Sequence, residues 1–537
     1  MIKIENDIFY ISAGETCYIF KIENGVPMHV YFGKRVEPED DLSALGLSGK
    51  TPELTVPTAI IEDKQVNTHF VFEDAGVNDD GDNKTLIIWL RDKKNKLKAN
   101  MYYTPNARGG IFRRVVIESA CGDVKFPIVR QALRCASSDN IIENNGKDTC
   151  CGFLGSHGFL CVNADGNVAI KRDGDEAVVT LKNNEDLTIS GGVYEVNCPE
   201  LLCVYSDNGK GGISRIFHDI LSEERNDGDL SERSAVLFLP KVDDFDTLKD
   251  MIKAAGELGF GIVALDGGKH SKDMMDALCV VCREIGLIPG LRINRDVIQA
   301  KTALYTNWCK KAANGEYKYD YLDKQTAGLY HAVRAEVARN DIRYVMIDAP
   351  DDVTDVYVAH GKFALKNMLN DEHPEVRVDF GMKSEQQSKA FTLCYPLEIV
   401  RNIISPEPAE NFKIRFDVAS LGKLGYEFNP LELSEGLKRA VRAQILSYQD
   451  DALTVLHGDI YSSENCRMAV SKDKSRAYAV CSTDKASRIM LGGLDEHNLY
   501  HVHELNKTFS GAALVNCGIA LENAGTYVFH IRQVADY

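Results

Sequence analysis

The chain has little positive charge relative to negative charge, and very little tryptophan. Its 537 residues include 62 Lys and Arg against 79 Asp and Glu, which gives a formal net charge of −17, and only two residues are Trp. Nucleic acids and anionic membranes are bound through basic surface, so this balance argues against both as partners. Trp89 and Trp308 offer few indole rings on which a ligand could stack.

Long apolar runs and paired cysteine spacings are also missing. No apolar run approaches the roughly 18–20 residues that a membrane span needs, and residues 1–7 lack the apolar core of a signal peptide. The fifteen cysteines are odd in number and follow no framework spacing. We therefore expect free, mostly buried thiols and a location in the reducing cytoplasm.

Metal and phosphate signatures are incomplete. Cys279 and Cys282 form a lone C-x-x-C within a helical pattern, and His501 and His503 lack a third ligand nearby, so core thiols and a half-buried strand are the better interpretations. The glycine-rich residues 205–215 match neither a P-loop nor a dinucleotide fingerprint and are interpreted as a domain connection. We expect neither a metal nor a cofactor.

Residues 1–228 are typical of a β domain. Short runs of β-branched and aromatic residues are separated by turn signals, which predicts a large N-terminal antiparallel β-sandwich. The clearest strands are at 8–10, 18–22, 29–32, 85–90 and 113–117.

Residues 229–450 alternate between strand and helix patterns. This alternation predicts a parallel sheet closed into a central (β/α)8 TIM-type barrel, or an incomplete form of that barrel. The predicted strands are 235–239, 261–266, 288–293, 341–348 and 375–379, and the predicted helices are 246–258, 271–285, 325–339, 360–370 and 433–447.

Residues 451–537 return to short strands, and we expect a small C-terminal antiparallel β domain there. Its predicted strands are 453–456, 467–470, 476–480, 500–505 and 527–531.

Three of the predicted barrel strands end on an acid, at Asp266, Asp348 and Asp379. The carboxyl ends of parallel barrel strands meet at one mouth, so these side chains predict a polar-ligand site. A carboxylate after a strand is also often the N-cap of the next helix, which is the structural alternative.

Four stretches, taken in order, resemble family 36 of the glycoside hydrolases, the bacterial α-galactosidases. They are residues 18–35, 204–218, 424–434 and 508–518, and the resemblance extends along nearly the whole chain. It implies a carbohydrate ligand, retaining hydrolysis of α-galactosides and a possible homo-oligomer. It also places Asp348 at the nucleophile position, and Asp266, Arg292 and Asn294 at sugar-binding positions.

The resemblance weakens at the catalytic positions. The family's nucleophile strand reads Tyr-Ile-Lys-Trp-Asp-Met-Asn, whereas here Met346 and Ile347 precede Asp348 and Pro350 replaces the Asn. The segment that carries the family's acid/base Asp is missing between residues 385 and 391. A retaining glycosidase needs two carboxyl groups about 5–5.5 Å apart.

Two hypotheses follow. In the first, the protein is a glycosidase of altered activity, with Asp348 as the nucleophile and Asp379 or Glu385 recruited as acid/base. In the second, it is a catalytically inactive sugar-binding or structural pseudo-enzyme that keeps the scaffold.

Overall fold

The computed structural model divides the chain into two compact units. It describes residues 1–534 except 41, 43, 80, 82–83, 137–141, 144–150, 163–165, 184–185, 223–233, 267–271, 294–333, 335–336, 338–341, 349–375, 385–387, 390 and 464. Met1–Leu221 forms the first unit, and the described residues from 222 onward belong to the second. No helix in these described parts is both long and apolar enough to cross a membrane.

The first unit is built from antiparallel strands and ends in one helix, α1 (Gly209–Leu221). Its strands are β1 (Ile2–Glu5), β2 (Ile8–Ala13), β3 (Thr16–Glu23), β4 (Val26–Lys34), β5 (Thr51–Pro52), β6 (Leu54–Thr55), β7 (Thr58–Ile61), β8 (Lys64–Asn67), β9 (Val71–Asp79), β10 (Lys84–Asp92), β11 (Leu97–Pro105), β12 (Gly110–Ser119), β13 (Val124–Phe126), β14 (Arg130–Ala136), β15 (Ile142–Glu143), β16 (Cys151–Leu154), β17 (His157–Cys161), β18 (Gly166–Asp173), β19 (Glu176–Asn183), β20 (Leu187–Ile189), β21 (Glu195–Asn197) and β22 (Leu201–Tyr205).

These strands form four sheets. The largest has nine strands in the order β15-β16-β17-β22-β12-β11-β10-β9, with β21 also paired to β12, and a second sheet runs β1-β2-β3-β4-β5. Two four-stranded sheets, β20-β13-β7-β8 and β18-β19-β14-β6, complete the unit. Short antiparallel strands with alternating buried positions confirm the N-terminal sandwich prediction.

A fully buried ionic cluster joins two sheets of this unit. Glu53 accepts hydrogen bonds from Tyr18 on β3 and Tyr103 on β11, at 2.6 and 2.9 Å. Arg113 on β12 and His29 on β4 lie 2.9 Å from the same carboxylate. Burial alone raises the pKa of Glu53, but the Arg113 charge and the His29 hydrogen bond outweigh it and lower that pKa.

The second unit begins with a closed parallel barrel. Its strands are β23 (Val236–Phe238), β24 (Ile262–Asp266), β25 (Ile288–Ile293), β26 (Tyr344–Asp348), β27 (Arg377–Met382), β28 (Val400–Ile404) and β29 (Lys423–Glu427). Each strand pairs in parallel with the next, and β29 pairs with β23, so seven strands close the ring in the described residues. The TIM-type barrel is thus confirmed, with seven described strands where the prediction allowed up to eight.

The acid/base segment that this sequence lacks would fall between two strands that pair directly with each other in the ring. Strands β27 and β28 are parallel neighbours, with Phe380 opposite Val400 and Met382 opposite Asn402. Only residues 383–399 connect them. The ring therefore closes without a strand between these two.

Close packing fills the lower barrel. Buried side chains from four strands form one cluster, which consists of Val236, Phe238, Ile262, Ala264, Tyr344, Met346 and Ile403. A Cβ on Gly290 would lie 2.8 Å from Tyr344 Cδ1 and 2.9 Å from Ala264 Cβ. The barrel thus needs glycine at this position for steric reasons.

The described helices of the second unit are α2 (Phe245–Leu258), α3 (Lys272–Ile285), α4 (Phe412–Ala419) and α5 (Glu435–His457). Helix α2 begins at an Asp244 cap, whose side chain accepts from the Thr247 amide, and ends at Gly259 with φ 96°. Gly286 follows α3 with φ 82°. These left-handed glycines confirm the predicted helix ends. The helices predicted at 325–339 and 360–370 lie mostly or wholly outside the described residues.

A six-stranded antiparallel sheet completes the second unit, in the order β30-β31-β32-β37-β34-β35, with β33 and β36 paired separately. Its strands are β30 (Asp459–Ser462), β31 (Cys466–Val470), β32 (Arg476–Thr483), β33 (Ser487–Ile489), β34 (Leu499–Val502), β35 (Lys507–Ser510), β36 (Ile519–Leu521) and β37 (Gly525–Gln533). Short helical turns span Leu397–Ile399, Ala409–Asn411, His503–Leu505 and Ala513–Cys517. The predicted C-terminal antiparallel domain is confirmed.

One predicted strand was wrong. The strand predicted at 453–456 is the last part of α5, because Ala452, Val455 and Leu456 bury one helical face there. Helix α1 begins at Gly209, so the glycine-rich residues 205–215, which were interpreted as a domain connection, are partly helical. The domain limits 1–228, 229–450 and 451–537 remain predictions.

None of the thirteen cysteines in the described residues forms a disulfide, and most of them are buried. Cys279 and Cys282 lie buried on α3, as expected for core thiols.

Candidate functional site at the barrel mouth

Asp348 is the last residue of β26 and lies at the carboxyl end of the barrel. Its side chain is buried, although it sits at the mouth. Gly381 on the neighbouring strand β27 makes room for it, because a Cβ there would lie 3.1 Å from Asp348 Oδ1. The local sequence thus produces the predicted strand end, and the neighbouring glycine accommodates the carboxylate.

Arg292 holds Asp348 in a two-point ion pair. Its Nε and Nη2 atoms donate to Oδ1 and Oδ2 of Asp348, each at 3.1 Å. Arg292 lies on β25, and its guanidinium carbon is 5.3 Å from the centre of the Phe238 ring. The planar guanidinium fits a carboxylate in this arrangement, which fixes both side chains.

A second carboxylate, Glu427, reaches the same guanidinium. Glu427 ends β29, and its Oε2 lies 3.1 Å from Arg292 Nη1. Burial alone would lower the pKa of Arg292, but the charges of Asp348 and Glu427 outweigh it and raise the pKa. Arg292 is therefore a permanent cation between two carboxylates.

Lys383 and Asp266 complete the described part of the mouth. Lys383 follows β27; its Nζ lies 3.6 Å from Asp348 Oδ2, and half of its side chain is exposed. Asp266 is buried at the end of β24, with Arg292 as its neighbour in the strand register. The mouth thus combines two cations with three carboxylates, a set suited to hydrogen bonding with hydroxyl groups.

Asp379 lies deeper in the barrel than predicted. Strand β27 continues through Phe380 and Gly381 to Met382, so the expectation that it ends on Asp379 was wrong. The carboxylate is almost completely buried, with Arg401 Nη2 and Lys423 Nζ each 2.8 Å from it. The apolar character of 380–382 explains why the strand extends past the acid.

The surroundings of Asp379 favour its charged form. Burial alone raises the pKa of Asp379, but Lys423 and Arg401 outweigh it and hold the pKa well below its usual range. A carboxyl group in this state has no proton to donate near neutral pH. This geometry argues against the acid half of the role predicted for Asp379.

Two predicted site residues cannot be placed. Asn294 and Glu385 lie outside the described residues. Within the described ranges, no group of three or more His, Cys, Asp or Glu side chains could hold a metal ion.

Glu427 and Lys383 were not among the predicted site residues. Glu427 belongs to the stretch 424–434, which was interpreted as similar to the family's final barrel helix. Residues Lys423–Glu427 form strand β29 instead, and the acid at the end of that strand is the signal that was missed. Lys383 follows a strand whose end was predicted at Asp379, three residues too early, and no local pattern in the sequence assigns it to the mouth.

Comparisons with known proteins agree with this architecture. The model of the glycosyl hydrolase family 36 C-terminal domain matches residues 464–531. The alpha-galactosidase AgaA of Geobacillus stearothermophilus is 23% identical over 419 residues, which cover 60% of this chain and 57% of that protein. The bifunctional alpha-galactosidase/sucrose kinase AgaSK of Mediterraneibacter gnavus is 22% identical over 460 residues, 68% of this chain and 49% of that protein.

Solved structures extend the likeness to the fold as a whole. The galactosidase domain of AgaSK aligns with a TM-score of 0.75 at 16% identity, over 99% of this chain and 100% of that chain. An AgaA variant in complex with raffinose aligns with a TM-score of 0.72 at 17% identity, over 98% and 100% of the two chains.

The chain spans 57% of the length of AgaA and 49% of the length of AgaSK. The family model covers its C-terminal sheet, and the structural likeness covers the sandwich, the barrel and that sheet. The predicted resemblance is confirmed: residues 464–531 match the C-terminal domain of glycosyl hydrolase family 36, and the chain is similar in sequence and in fold to α-galactosidases of that family.

Proposed function

We propose that this protein binds an α-galactoside-like sugar at the barrel mouth and hydrolyses it slowly or not at all. The observation that carries the proposal is the two-point ion pair between Arg292 and Asp348. A sugar ring offers several hydroxyl groups, which the carboxylates and cations of the mouth can bind. The relatives' names and the raffinose complex of one of them support the choice of ligand class.

The ion pair opposes nucleophilic attack by Asp348. Both oxygens of Asp348 accept from Arg292. Each oxygen keeps a second lone pair, but the guanidinium charge stabilises the carboxylate and so makes it a weaker nucleophile. The direct pairing of β27 with β28 also leaves the short segment 383–399 where the family carries its acid/base Asp. General acid help is worth roughly 10²–10⁴ in rate, so its loss would slow turnover of unactivated sugars severely.

The second candidate is a working retaining glycosidase, and one observation favours it. Arg292 places Glu427 beside Asp348, and the Glu427 side chain is 49% exposed, so a second carboxyl group is present at the mouth. Asp348 would then act as the nucleophile. Glu427, or the predicted Glu385, would serve as acid/base, and Asp379 would keep a structural role.

The remaining parts of the proposal follow from the same site. Asp266 and Arg292 are proposed as sugar contacts together with Asn294. A homo-oligomer is proposed from the resemblance alone. A cytoplasmic location is proposed because the described cysteines form no disulfide, as expected in a reducing compartment.

Calorimetry tests the binding proposal. Galactose, melibiose and raffinose are titrated into the wild-type protein and into the Asp348→Asn variant. We expect wild-type binding of at least one sugar and weakening of about tenfold or more in the variant, because a hydrogen bond to a charged group is lost. Asp243→Asn is the matched control, since Asp243 is 80% exposed. Absence of binding by all three sugars at millimolar concentration would refute the proposal.

Turnover of an activated aryl α-galactoside separates the two candidates. The first predicts little release of the aryl alcohol and no covalent adduct with a fluorinated galactoside. The second predicts an adduct on Asp348, found by mass spectrometry and absent in Asp348→Asn. A turnover number in the ordinary range of about 1–10³ per second would refute the first candidate.

A further inference from the structure

A cavity separate from the floor of the mouth lies between the barrel and the C-terminal sheet. Its volume is about 290 Å³, and it is bounded by the ends of β27 and β28, by α4 and by residues of the C-terminal sheet. This is near the lower end of the roughly 300–1,000 Å³ typical of small-molecule sites. The cavity is therefore large enough for a ligand of monosaccharide size.

The charged side chains on its wall are all cationic. Lys383, Arg415 and Arg467 line the cavity, and none of its described lining residues is acidic. Arg467 is buried and donates from Nη2 to Thr392 Oγ1 at 2.7 Å, which holds the guanidinium in place. Three cations around one small cavity favour an anionic ligand.

Two buried donors on the wall have unmet hydrogen-bonding capacity. Ser388 is 2% exposed, and its Oγ has no hydrogen-bond partner among the described residues. The buried Nε of Arg415 also lacks one there. Nη2 of Arg415 donates to the carbonyls of Ser405 and Pro408, at 3.0 and 2.6 Å, and these do not neutralise its charge.

Unmet buried donors are uncommon, because each costs the desolvation of its polar group. An acceptor-rich anion in the cavity would satisfy both the Ser388 hydroxyl and the Arg415 Nε. The unmet hydroxyl of Ser388 is independent of the cationic wall, and both observations point to the same ligand chemistry.

We propose that this cavity binds the phosphate group of a small phosphorylated sugar. A phosphate monoester carries close to two negative charges and three acceptor oxygens, which suits three cations and two free donors better than a carboxylate does. Ile403 and Ile414 supply an apolar wall against which the C–H face of a sugar ring can pack.

Lys383 connects this cavity with the mouth. It lines the cavity, and its Nζ is 3.6 Å from Asp348 Oδ2. A sugar phosphate bound in the cavity would thus lie next to the mouth. This last step rests on the proposed function, whereas phosphate binding itself does not.

Calorimetric titration with inorganic phosphate at low ionic strength tests the anion site. The variants are Ser388→Ala and Arg415→Gln, and the matched control is Arg439→Gln, an exposed arginine on α5. We expect wild-type binding, a loss of about tenfold or more in affinity in each cavity variant, and no change in the control. Ser388→Ala should not lower the melting temperature, because the hydroxyl has no described partner to lose.

The outcomes are distinct. No phosphate binding at tens of millimolar by the wild-type protein, or equal affinity in all three variants, would overturn the anion site. Galactose 6-phosphate should bind tighter than inorganic phosphate, and equal affinities or tighter binding of galacturonate would overturn the sugar-phosphate assignment.

Asp348→Asn separates this inference from the proposed function. It should keep inorganic phosphate binding even where it loses neutral galactosides. If neutral sugars never bind but phosphate does, the proposed function fails and the anion site stands.

Discussion

Asp348 and Asp379 come from neighbouring strands of one barrel, yet their surroundings differ sharply. Asp379 is 1% exposed and lies between two buried cations, Arg401 and Lys423. Asp348 is also buried, but it shares its arginine with the half-exposed Glu427 and lies near the half-exposed Lys383. One carboxylate therefore neutralises the barrel interior, and the other lies at the mouth beside two half-exposed charged side chains.

The difference shows that strand position alone does not assign a chemical role. In the sequence both residues are acids within short apolar runs. The number and burial of their cationic partners set the cost of removing each one, because an unpaired buried charge is far more expensive than one that water or another carboxylate can reach.

The largest effect is expected from Asp379→Asn. The change leaves Arg401 and Lys423 buried without their carboxylate, so the free energy of unfolding should fall by about 3–5 kcal/mol. Urea denaturation measures it. Asp243→Asn is the control, expected within about 0.5 kcal/mol because the residue is 80% exposed. A loss below about 1 kcal/mol for Asp379→Asn would remove the contrast with Asp348.

The ion pairs of Asp379 with Arg401 and Lys423 predict that the protein loses stability at low pH. The pKa of Asp379 is lowered in the folded state, against about 3.9 in the unfolded chain. A depressed pKa gives stability that is present above the unfolded value and is lost as pH falls toward the folded one. The difference in unfolding free energy between the wild-type protein and Asp379→Asn should stay constant above about pH 5 and shrink below pH 4. A difference that grows on acidification would contradict this.

Asp348→Asn should cost less than Asp379→Asn, about 1–3 kcal/mol. Arg292 keeps Glu427 as a partner in the variant, so no buried cation is left wholly unpaired. A double-mutant cycle with Arg292→Met, measured by urea denaturation, gives the pairwise energy. A cost equal to that of Asp379→Asn would show that Glu427 does not compensate Arg292 for the loss of Asp348.

The smallest effect is expected at a partly exposed cation, His530. Its Nε2 lies 3.3 Å from Asp451 on α5, and its Nδ1 contacts Glu504. These two carboxylates raise the pKa of His530 to about 9. A raised pKa gives stability that is present below about pH 6.5 and is lost as pH rises toward 9.

Replacing His530 with Gln tests this. The variant should be less stable than the wild-type protein by about 1 kcal/mol at pH 6, an amount reduced by solvent screening of a partly exposed group. The gap should close by pH 9.5, as followed by thermal unfolding. A gap that widens with pH would contradict the assignment.

The sequence was informative where local chemistry and burial act together. Apolar runs ending in Asp266 and Asp348 became barrel strands that end on those residues. Gly259 and Gly286 end helices because a left-handed residue is needed there. Prediction from the sequence failed where tertiary packing overrides the local pattern. Val455 and Leu456 fit a strand pattern, but they are buried residues in the last turn of α5.

Composition, the order of the three folding regions and the nucleophile-like strand followed from the sequence alone, because hydrophobic period and turn residues are local properties. The tertiary structure decided the charge pairing. Arg292 and Glu427 lie far apart along the chain, and only the closed ring of strands brings both to Asp348. It also decided that Asp379 faces two cations inside the barrel, because the pairing of β27 with β28 and of β28 with β29 brings Arg401 and Lys423 next to it.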